Sequence, residues 1–322
     1  MSFDIMSNTI FGENYDLLGT DKYRHVVKDI DASNVRTSVL IQAPVFSSFR
    51  ADRHLFKTSI RGRNRFLGFL ATLLKARYSR PKTDGTDVFN FLLSAKDPDT
   101  GEGLRGSEIG AESATLIIAG SDTSSTALCG VFFYLAHYPA ACRRATEEVR
   151  NAFATPEDIT LGASLTNCTY LRACIEESLR LSPPAGGALW REVATEGGVF
   201  DGVHLPAGAD IAVCVYAIHH NAAYYPQPFT FRPERWLAKG GEAELAQSAF
   251  NPFSIGPRSC IGKGFAMAEL LLACARILWE FDIRPDDQHA DKTQLPEFYL
   301  RDHITGIKEG PVLQFRARTT LS

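Results

Sequence analysis

The chain has 322 residues, of which 45% are hydrophobic and 22% are charged, and its formal net charge is −3. This is an ordinary globular composition, with enough apolar material for one large core or two smaller ones. The charge balance argues against a general nucleic-acid-binding protein, because phosphate contacts need clustered Lys and Arg.

Cysteine usage and the apolar runs bear on the compartment. The seven cysteines contain no C-x-x-C pair, so they indicate neither a disulfide framework nor a zinc site and fit a reducing compartment. The first residues lack the basic region and apolar core of a signal peptide. No apolar run reaches the roughly 18 residues of a membrane span, and the longest, residues 127–136, is too short. We therefore expect no membrane span in this chain.

The first half of the chain predicts helices. Residues 1–80 read as helices joined by loops, with apolar residues at helical spacing over 66–74. Residues 81–103 are rich in Asp, Gly, Thr and Pro around an apolar stretch, and they predict a linking segment with a short helix. Residues 107–137 predict a long apolar helix that ends at Tyr138-Pro139.

Small and polar residues interrupt this long helix at 119–123. Ala119, Gly120 and Thr123 share one helix face, because residues three and four apart are neighbours. Small residues there would let a ligand approach the helix, and the Thr123 hydroxyl beside the Asp122 carboxylate could relay protons. A helix with a few polar residues facing solvent would show the same pattern, so both interpretations stay open on these residues alone.

The second half predicts further helices and a small strand component. The predicted helices cover residues 140–153, 170–181 and 262–281, and the predicted strands cover 198–205 and 211–217, with a short hairpin near 312–315. Residues 224–236 are rich in Pro and aromatics and predict a loop. On the helix 170–181, Glu177 and Arg180 lie three residues apart, a spacing that is also common in surface salt bridges of little energetic weight. The fold class is therefore mainly α with a small β component.

The most informative segment is Phe253-Ser-Ile-Gly-Pro-Arg-Ser-Cys-Ile-Gly262. Cys260 lies in a Gly/Pro loop directly before a long helix, where the helix dipole and free N–H groups favour a thiolate. Gly256 and Gly262 permit close approach of the backbone to a flat ligand, and Arg258 offers a cation to a carboxylate. A buried cysteine without chemistry is the alternative that applies to any single cysteine.

As a whole, this segment resembles the haem-ligand loop of the cytochromes P450, F-x-x-G-x-R-x-C-x-G, at every specified position. Residues 119–123 resemble the oxygen-binding groove of that family's central helix, Glu177 and Arg180 its Glu–Arg helix, and residues 231–236 its meander motif. The four motifs follow one another in the family's order. Residues 3–6 and 11–13 resemble a fungal-type segment of the family.

The resemblance implies haem b as the cofactor, with Cys260 as its axial thiolate ligand. The residues that it places against the haem or its oxygen groove are Phe253, Gly256, Arg258, Arg191, Ala119 and Gly120, the two arginines at the propionates. Asp122 and Thr123 would be catalytic, delivering protons during oxygen activation. Glu177, Arg180 and Arg235 would form a buried network with a role in folding.

The implied function is a monooxygenase that inserts one oxygen atom of O2 into a small apolar substrate, in fungal secondary-metabolite biosynthesis. Electrons would come from NADPH-cytochrome P450 reductase, since the chain has no dinucleotide-binding G-x-G-x-x-G segment. Two alternatives stay open: an O2-independent haem-thiolate isomerase or dehydratase, and a truncated, non-catalytic pseudoenzyme.

The resemblance also sets expectations for the domain and its location. Residues 1–322 would form one cytochrome P450 domain that lacks the family's N-terminal portion, with a helical part over 1–100 and a haem-binding core over 101–322. The missing portion should leave apolar side chains exposed. The family implies the endoplasmic reticulum membrane, whereas without an anchor this chain would be cytoplasmic.

Overall fold

The structure is a computed structural model that describes residues 1–48, 50–80, 87–286 and 297–318. These residues group into two compact units. The first holds Met1–Ser125 with His303–Ile307, and the second holds the described residues from Thr126 to Asp302 and from Lys308 onward. Each unit is described by itself.

Helices dominate the first unit. In chain order they are α1 (Ser2–Phe11), α2 (His25–Gln42), α3 (Val45–Ser48), α4 (Asp52–Leu55), α5 (Lys57–Tyr78), α6 (Val88–Ser94) and α7 (Gly106–His137), the last continuing into the second unit. Their apolar faces form one buried cluster that includes Phe3, Ile10, Val26, Phe69 and Ile117. The short helix predicted within 81–103 is α6, while residues 81–86 lie outside the described residues.

Helices α2 and α5 pack closely because α5 carries a glycine at their contact. A Cβ on Gly62 would lie 2.9 Å from the carbonyl oxygen of Asp29 and 3.1 Å from the Cβ of Ala32. The carboxylate of Asp29 is buried and forms an ion pair with Arg65 of α5. Helical spacing over residues 66–74 predicted part of α5, and α2 falls in the stretch 1–80 that was predicted as helices joined by loops. The close contact at Gly62 was not predicted.

Helix α7 is the one helix among the described residues that is long and apolar enough to cross a membrane by length and composition. Half of its most apolar 18-residue window is buried inside the protein. A core helix passes the same test, so this finding is weak evidence for a membrane span.

The later part of the chain adds shorter helices and four pairs of strands. The helices are α8 (Pro139–Ala152), α9 (Ala163–Thr166), α10 (Thr169–Leu181), α11 (Val215–His219), α12 (Gly241–Ala249) and α13 (Lys263–Glu280). The strands are β1 (Ala188–Glu192), β2 (Gly198–Phe200), β3 (Val203–Leu205), β4 (Asp210–Cys214), β5 (Phe281–Pro285), β6 (Leu300–His303), β7 (Thr305–Lys308) and β8 (Leu313–Ala317). The pairs are β1 with β4, β2 with β3, β5 with β8, and β6 with β7. The predicted mainly helical fold class with a small strand component is confirmed.

The strand predictions were wrong in detail. Residues 198–205 form a hairpin rather than one strand, because Asp201 and Gly202 adopt φ values of 49° and 78° and make a tight turn. The strand predicted over 211–217 ends at Cys214, and α11 begins at Val215. Strand β1 was not predicted, since its five residues show no clear alternation. It gains its backbone hydrogen bonds from β4, which lies about 20 residues further along the chain.

The core of the second unit lies among α7, α8, α10 and α13. Helix α10 is almost wholly buried, and Cys174 of α10 and Cys274 of α13 are fully buried in the same cluster. Burial raises the pKa of both thiols well above the ordinary value, so neither is a reactive thiolate. Both cysteines act as small apolar side chains.

Candidate functional site

The cysteine loop, residues 253–262, is closed by its own backbone hydrogen bonds. The N–H of Cys260 donates to the carbonyl oxygen of Phe253 over 2.8 Å, and the N–H of Ser259 donates to that of Gly256 over 3.0 Å. Gly256 has a φ of 70°, a left-handed conformation that favours glycine. The loop therefore holds its shape without a helix or a strand of its own.

Cys260 lies two residues before the N-cap of α13, which is Gly262. All seven cysteines lie in the described residues, and Cys260 alone among them is exposed. Its sulfur lies 3.7 Å from the position that a Cβ on Gly262 would take. The thiol is thus presented at the positive end of an 18-residue helix, with a glycine beside it.

The surroundings of Cys260 fit a flat, mostly apolar group that carries negative charges and a metal. Ile255 lies five residues before Cys260 in the loop and Ile261 directly follows it. They are 74% and 96% exposed, which is unusual for such apolar side chains. The Arg258 guanidinium is exposed and forms no hydrogen bond or ion pair with the described residues. Haem has this combination: an apolar ring, propionates for an arginine and an iron that accepts a thiolate.

Phe253 and Arg191 occupy different settings in the second unit. The half-buried Phe253 packs against the core cluster, and the ammonium of Lys263 lies 5.9 Å from the centroid of its ring. Phe253 and Lys263 also line a cavity of about 420 Å3 behind the cysteine loop. Arg191 is exposed on β1, opposite Ile211 of β4, and donates to the carbonyl oxygen of Trp190 over 2.7 Å.

In the first unit, the predicted groove residues lie on α7. The Thr123 hydroxyl donates to the carbonyl oxygen of Ala119 over 2.6 Å, and Ala119 is exposed. A Cβ on Gly120 would collide with the end of the Met6 side chain on α1, so Met6 would have to shift to admit a larger residue. Asp122 is half-buried, and its carboxylate accepts a hydrogen bond from the Thr305 hydroxyl of β7.

The structure brings Glu177, Arg180 and Arg235 together in the second unit. One nitrogen of Arg180 lies 2.9 Å from Oε1 of Glu177 and another 3.0 Å from Oε2. Nε of Arg235 lies 3.0 and 3.1 Å from the same two oxygens. All three residues are at most 2% exposed. Burial lowers the pKa of the Arg235 guanidinium and the neighbouring Arg180 lowers it further, while Glu177 raises it.

Several partners in this network were missed from the sequence. The indole N–H of Trp236 and the backbone N–H of Arg232 each donate to Glu177 over 3.0 Å. Arg180 donates to the carbonyl oxygens of His219 and Pro228 over 2.7 Å each. Trp236 stands beside Arg235 in the meander motif, and the rule that a buried indole N–H needs an acceptor could have identified it. The carbonyl partners left no signal in the sequence.

Comparison with known proteins extends the similarity beyond these motifs. The family model described as "Cytochrome P450" matches residues 1–307. A cytochrome P450 monooxygenase of Gibberella zeae is 52% identical over 333 residues, covering 100% of this chain and 77% of that protein.

For two further fungal relatives, the match covers a larger share of the relative's own length. The cytochrome P450 monooxygenase apf8 of Gibberella fujikuroi is 48% identical over 98% of this chain and 89% of its own. The monooxygenase lcsN of Purpureocillium lilacinum is 44% identical over 99% of this chain and 97% of its own length.

The mainly helical fold, the exposed cysteine before α13 and these matches define a protein of the haem-thiolate class. The chain belongs to the cytochrome P450 family. It is an oxidoreductase, and the predicted family and enzyme class are confirmed.

Proposed function

We propose that the chain is a monooxygenase that binds haem b through Cys260 and oxidises a small apolar substrate in fungal secondary metabolism. The observation that carries the proposal is the exposed thiol of Cys260, presented before α13 in a loop that also exposes Ile255 and Ile261. Relatives at 52% and 48% identity are named cytochrome P450 monooxygenases. When bound, the haem supplies the chemistry of dioxygen activation, in which one oxygen atom enters the substrate and the other leaves as water.

The side chains of the cysteine loop would hold the cofactor. The Cys260 thiolate would bind the iron, and Arg258, which has no ion pair within the described residues, would neutralise a propionate. Arg191 is exposed on β1 and would contact a propionate as well. Phe253 would contact the ring, and Gly256 keeps the backbone free of a side chain where the loop turns.

Residues of α7 would line the oxygen-binding groove and deliver protons. Ala119 and Gly120 present little side chain, and the Thr123 hydroxyl can turn from the Ala119 carbonyl oxygen to another acceptor. The Asp122 carboxylate is the titratable group next to it in the chain. In this proposal Asp122 takes protons from solvent, and Thr123 passes them to the reacting oxygen.

The electron donor would be NADPH-cytochrome P450 reductase, because the oxidation consumes two electrons that this chain does not itself supply. By family resemblance the working enzyme would lie at the endoplasmic reticulum membrane. Glu177, Arg180 and Arg235 would act in folding of the haem-binding core and not in the chemistry.

The carbon-monoxide difference spectrum of the reduced protein tests the proposal. We expect a thiolate-type Soret band that is lost in Cys260→Ser and kept in Cys214→Ser. Cys214 is a matched control, because its half-buried thiol donates to the carbonyl oxygen of Gly186 over 3.3 Å and a serine can keep that bond. A band that survives Cys260→Ser would refute the assignment.

Oxygen consumption separates the remaining alternatives. A monooxygenase consumes O2 and NADPH when it is supplied with a fungal reductase, whereas a haem-thiolate isomerase or dehydratase consumes neither. A non-catalytic pseudoenzyme would bind no haem, or would bind it without NADPH oxidation above that of the reductase alone.

A further inference from the structure

We propose that Thr305 is a positioning residue that holds the carboxylate of Asp122 for proton delivery. This inference rests on the proposed function, in which Asp122 handles protons. Thr305 lies on β7, whereas Asp122 lies on α7, and both belong to the first compact unit. Nothing in the sequence motifs points to Thr305.

The hydroxyl groups that neighbour Asp122 on α7 are engaged by the helix backbone. Thr123 donates to the carbonyl oxygen of Ala119 over 2.6 Å, and Ser121 donates to that of Ile117 over 2.6 Å. Ser125 donates to the backbone carbonyl oxygen of Asp122 over 2.9 Å. A hydroxyl has one hydrogen to donate, and in this arrangement each of the three gives it to a backbone carbonyl oxygen of the helix.

The direction of the Thr305 hydrogen bond is fixed by its neighbours. The Thr305 hydroxyl donates to Oδ2 of Asp122. The side-chain amide of Asn34 on α2 donates to the same hydroxyl oxygen over 3.4 Å. An amide N–H can only donate, and a hydroxyl that accepts from it is left to donate its hydrogen to the carboxylate. The three side chains thus form a directed chain from Asn34 through Thr305 to Asp122.

The surroundings of Thr305 restrict its movement. Thr305 is 9% exposed, and the residue before it, Ile304, has a φ of 76°. A β-branched residue in the left-handed region is strained and persists where its surroundings hold the backbone in place. The position of the Thr305 hydroxyl is therefore fixed, and its hydrogen bond limits the orientations open to the Asp122 carboxylate.

The physical consequence is a proton donor with a defined direction. Misplacing a catalytic group by about 1 Å can slow a reaction by up to about 100-fold. Thr305→Val keeps the shape of the side chain and removes the hydroxyl, so Oδ2 of Asp122 loses the hydrogen bond that Thr305 donates to it. We expect this variant to slow NADPH oxidation at saturating O2 by about three- to tenfold and to keep the haem content of the wild type.

The test uses the full-length haem protein with a fungal NADPH-cytochrome P450 reductase and no added substrate. The variants are Thr305→Val, Thr305→Ser, Asp122→Asn and, as a control, Thr146→Val, which removes another hydroxyl from a threonine that is also 9% exposed. The readouts are hydrogen peroxide released per NADPH oxidised and the solvent deuterium isotope effect on turnover. One NADPH yields one peroxide when proton delivery fails, whereas two NADPH reduce one O2 to two waters when it succeeds.

We expect both readouts to rise in Thr305→Val and in Asp122→Asn, and to stay at the wild-type value in Thr305→Ser and Thr146→Val. If Asp122→Asn raises them and Thr305→Val does not, the positioning role is wrong while the proposed function stands. If neither readout changes in Asp122→Asn, the proton role of Asp122 itself fails.

A measurement without turnover keeps the contact testable if a variant binds haem poorly. Urea unfolding of Thr305→Val, Asp122→Ala and the double variant forms a double-mutant cycle. We expect the midpoint shift of the double variant to be smaller than the sum of the single shifts, because both substitutions remove one hydrogen bond. Additive shifts would overturn the proposed contact.

Discussion

The buried carboxylate of Glu177 provides the sharpest test of the structure. Both of its oxygens accept three hydrogen bonds each. Oε1 accepts from Arg180, Arg235 and the backbone N–H of Arg232, and Oε2 accepts from Arg180, Arg235 and the Trp236 indole. Glu177→Gln keeps the shape but replaces one acceptor oxygen by an NH2 group. Whichever way the amide turns, its NH2 group then faces N–H donors that need an acceptor.

The expected loss follows from charge and hydrogen bonding together. Removing one partner of a buried ion pair costs about 3–5 kcal/mol, and here two guanidinium groups lose the carboxylate between them. Each donor left without an acceptor adds about 1–3 kcal/mol. Since a domain is stable by about 5–15 kcal/mol, we expect Glu177→Gln to lose most of its free energy of unfolding and to yield little soluble, haem-containing protein.

The assay is urea unfolding followed by circular dichroism, with Glu176→Gln as the control on the same helix. Glu176 pairs with Arg172 over 3.0 Å, and the Arg172 side chain is 45% exposed, so its loss should cost less than about 1 kcal/mol. If Glu177→Gln is insoluble, Arg235→Lys keeps the charge, loses the planar fork and should cost about 1–3 kcal/mol. A Glu177→Gln variant within about 1 kcal/mol of Glu176→Gln would refute the reasoning.

Three further predictions concern the helix α7 and the response to pH. Thr123→Ala should keep the haem content and raise the peroxide released per NADPH oxidised. Thr115→Ala is the control, because its hydroxyl also donates to a helix carbonyl, that of Ala111 over 2.9 Å, and it should leave this ratio unchanged. The same ratio in both variants would count against the relay. In urea unfolding, Gly120→Ala should lower the free energy of unfolding by about 1 kcal/mol through the collision with Met6. Gly130→Ala is the control: its Cβ would lie 3.7 Å from the Phe298 ring, so it should be neutral or stabilising. Burial, with the charge of Arg180, lowers the pKa of His219 to about 4 from 6.5, so the unfolded chain binds the proton first. The contribution of His219 to the free energy of unfolding should therefore be fully present above pH 6.5 and fall by about 3 kcal/mol as the pH drops to about 4. His219→Gln should flatten this fall, and parallel curves of unfolding free energy against pH for the variant and the wild type would contradict the prediction.

The sequence alone predicted the longer helices of the second half of the chain and identified the cysteine loop. The long apolar pattern predicted residues 107–137 as a helix, and α7 spans Gly106–His137. Residues 170–181 and 262–281 likewise became α10 (Thr169–Leu181) and α13 (Lys263–Glu280). Helices of this length are set by periodicity and by their stop signals, which are local properties of the chain. The cysteine loop could be identified for the same reason, because ten consecutive residues carry its pattern.

The tertiary structure decided which distant groups meet. Strand β1 exists because β4 pairs with it, and Glu177 accepts from Arg232 and Trp236, which lie more than 50 residues away. Gly120 lies against Met6 of another helix, and the Asp122 carboxylate accepts a hydrogen bond from Thr305, which is 183 residues further along the chain. A hydrogen bond or a packing contact between segments depends on the path of the whole backbone, and no local pattern encodes that path. For this protein, the sequence assigned the candidate site residues to their helices and to the cysteine loop, and the tertiary structure determined which distant residues contact them.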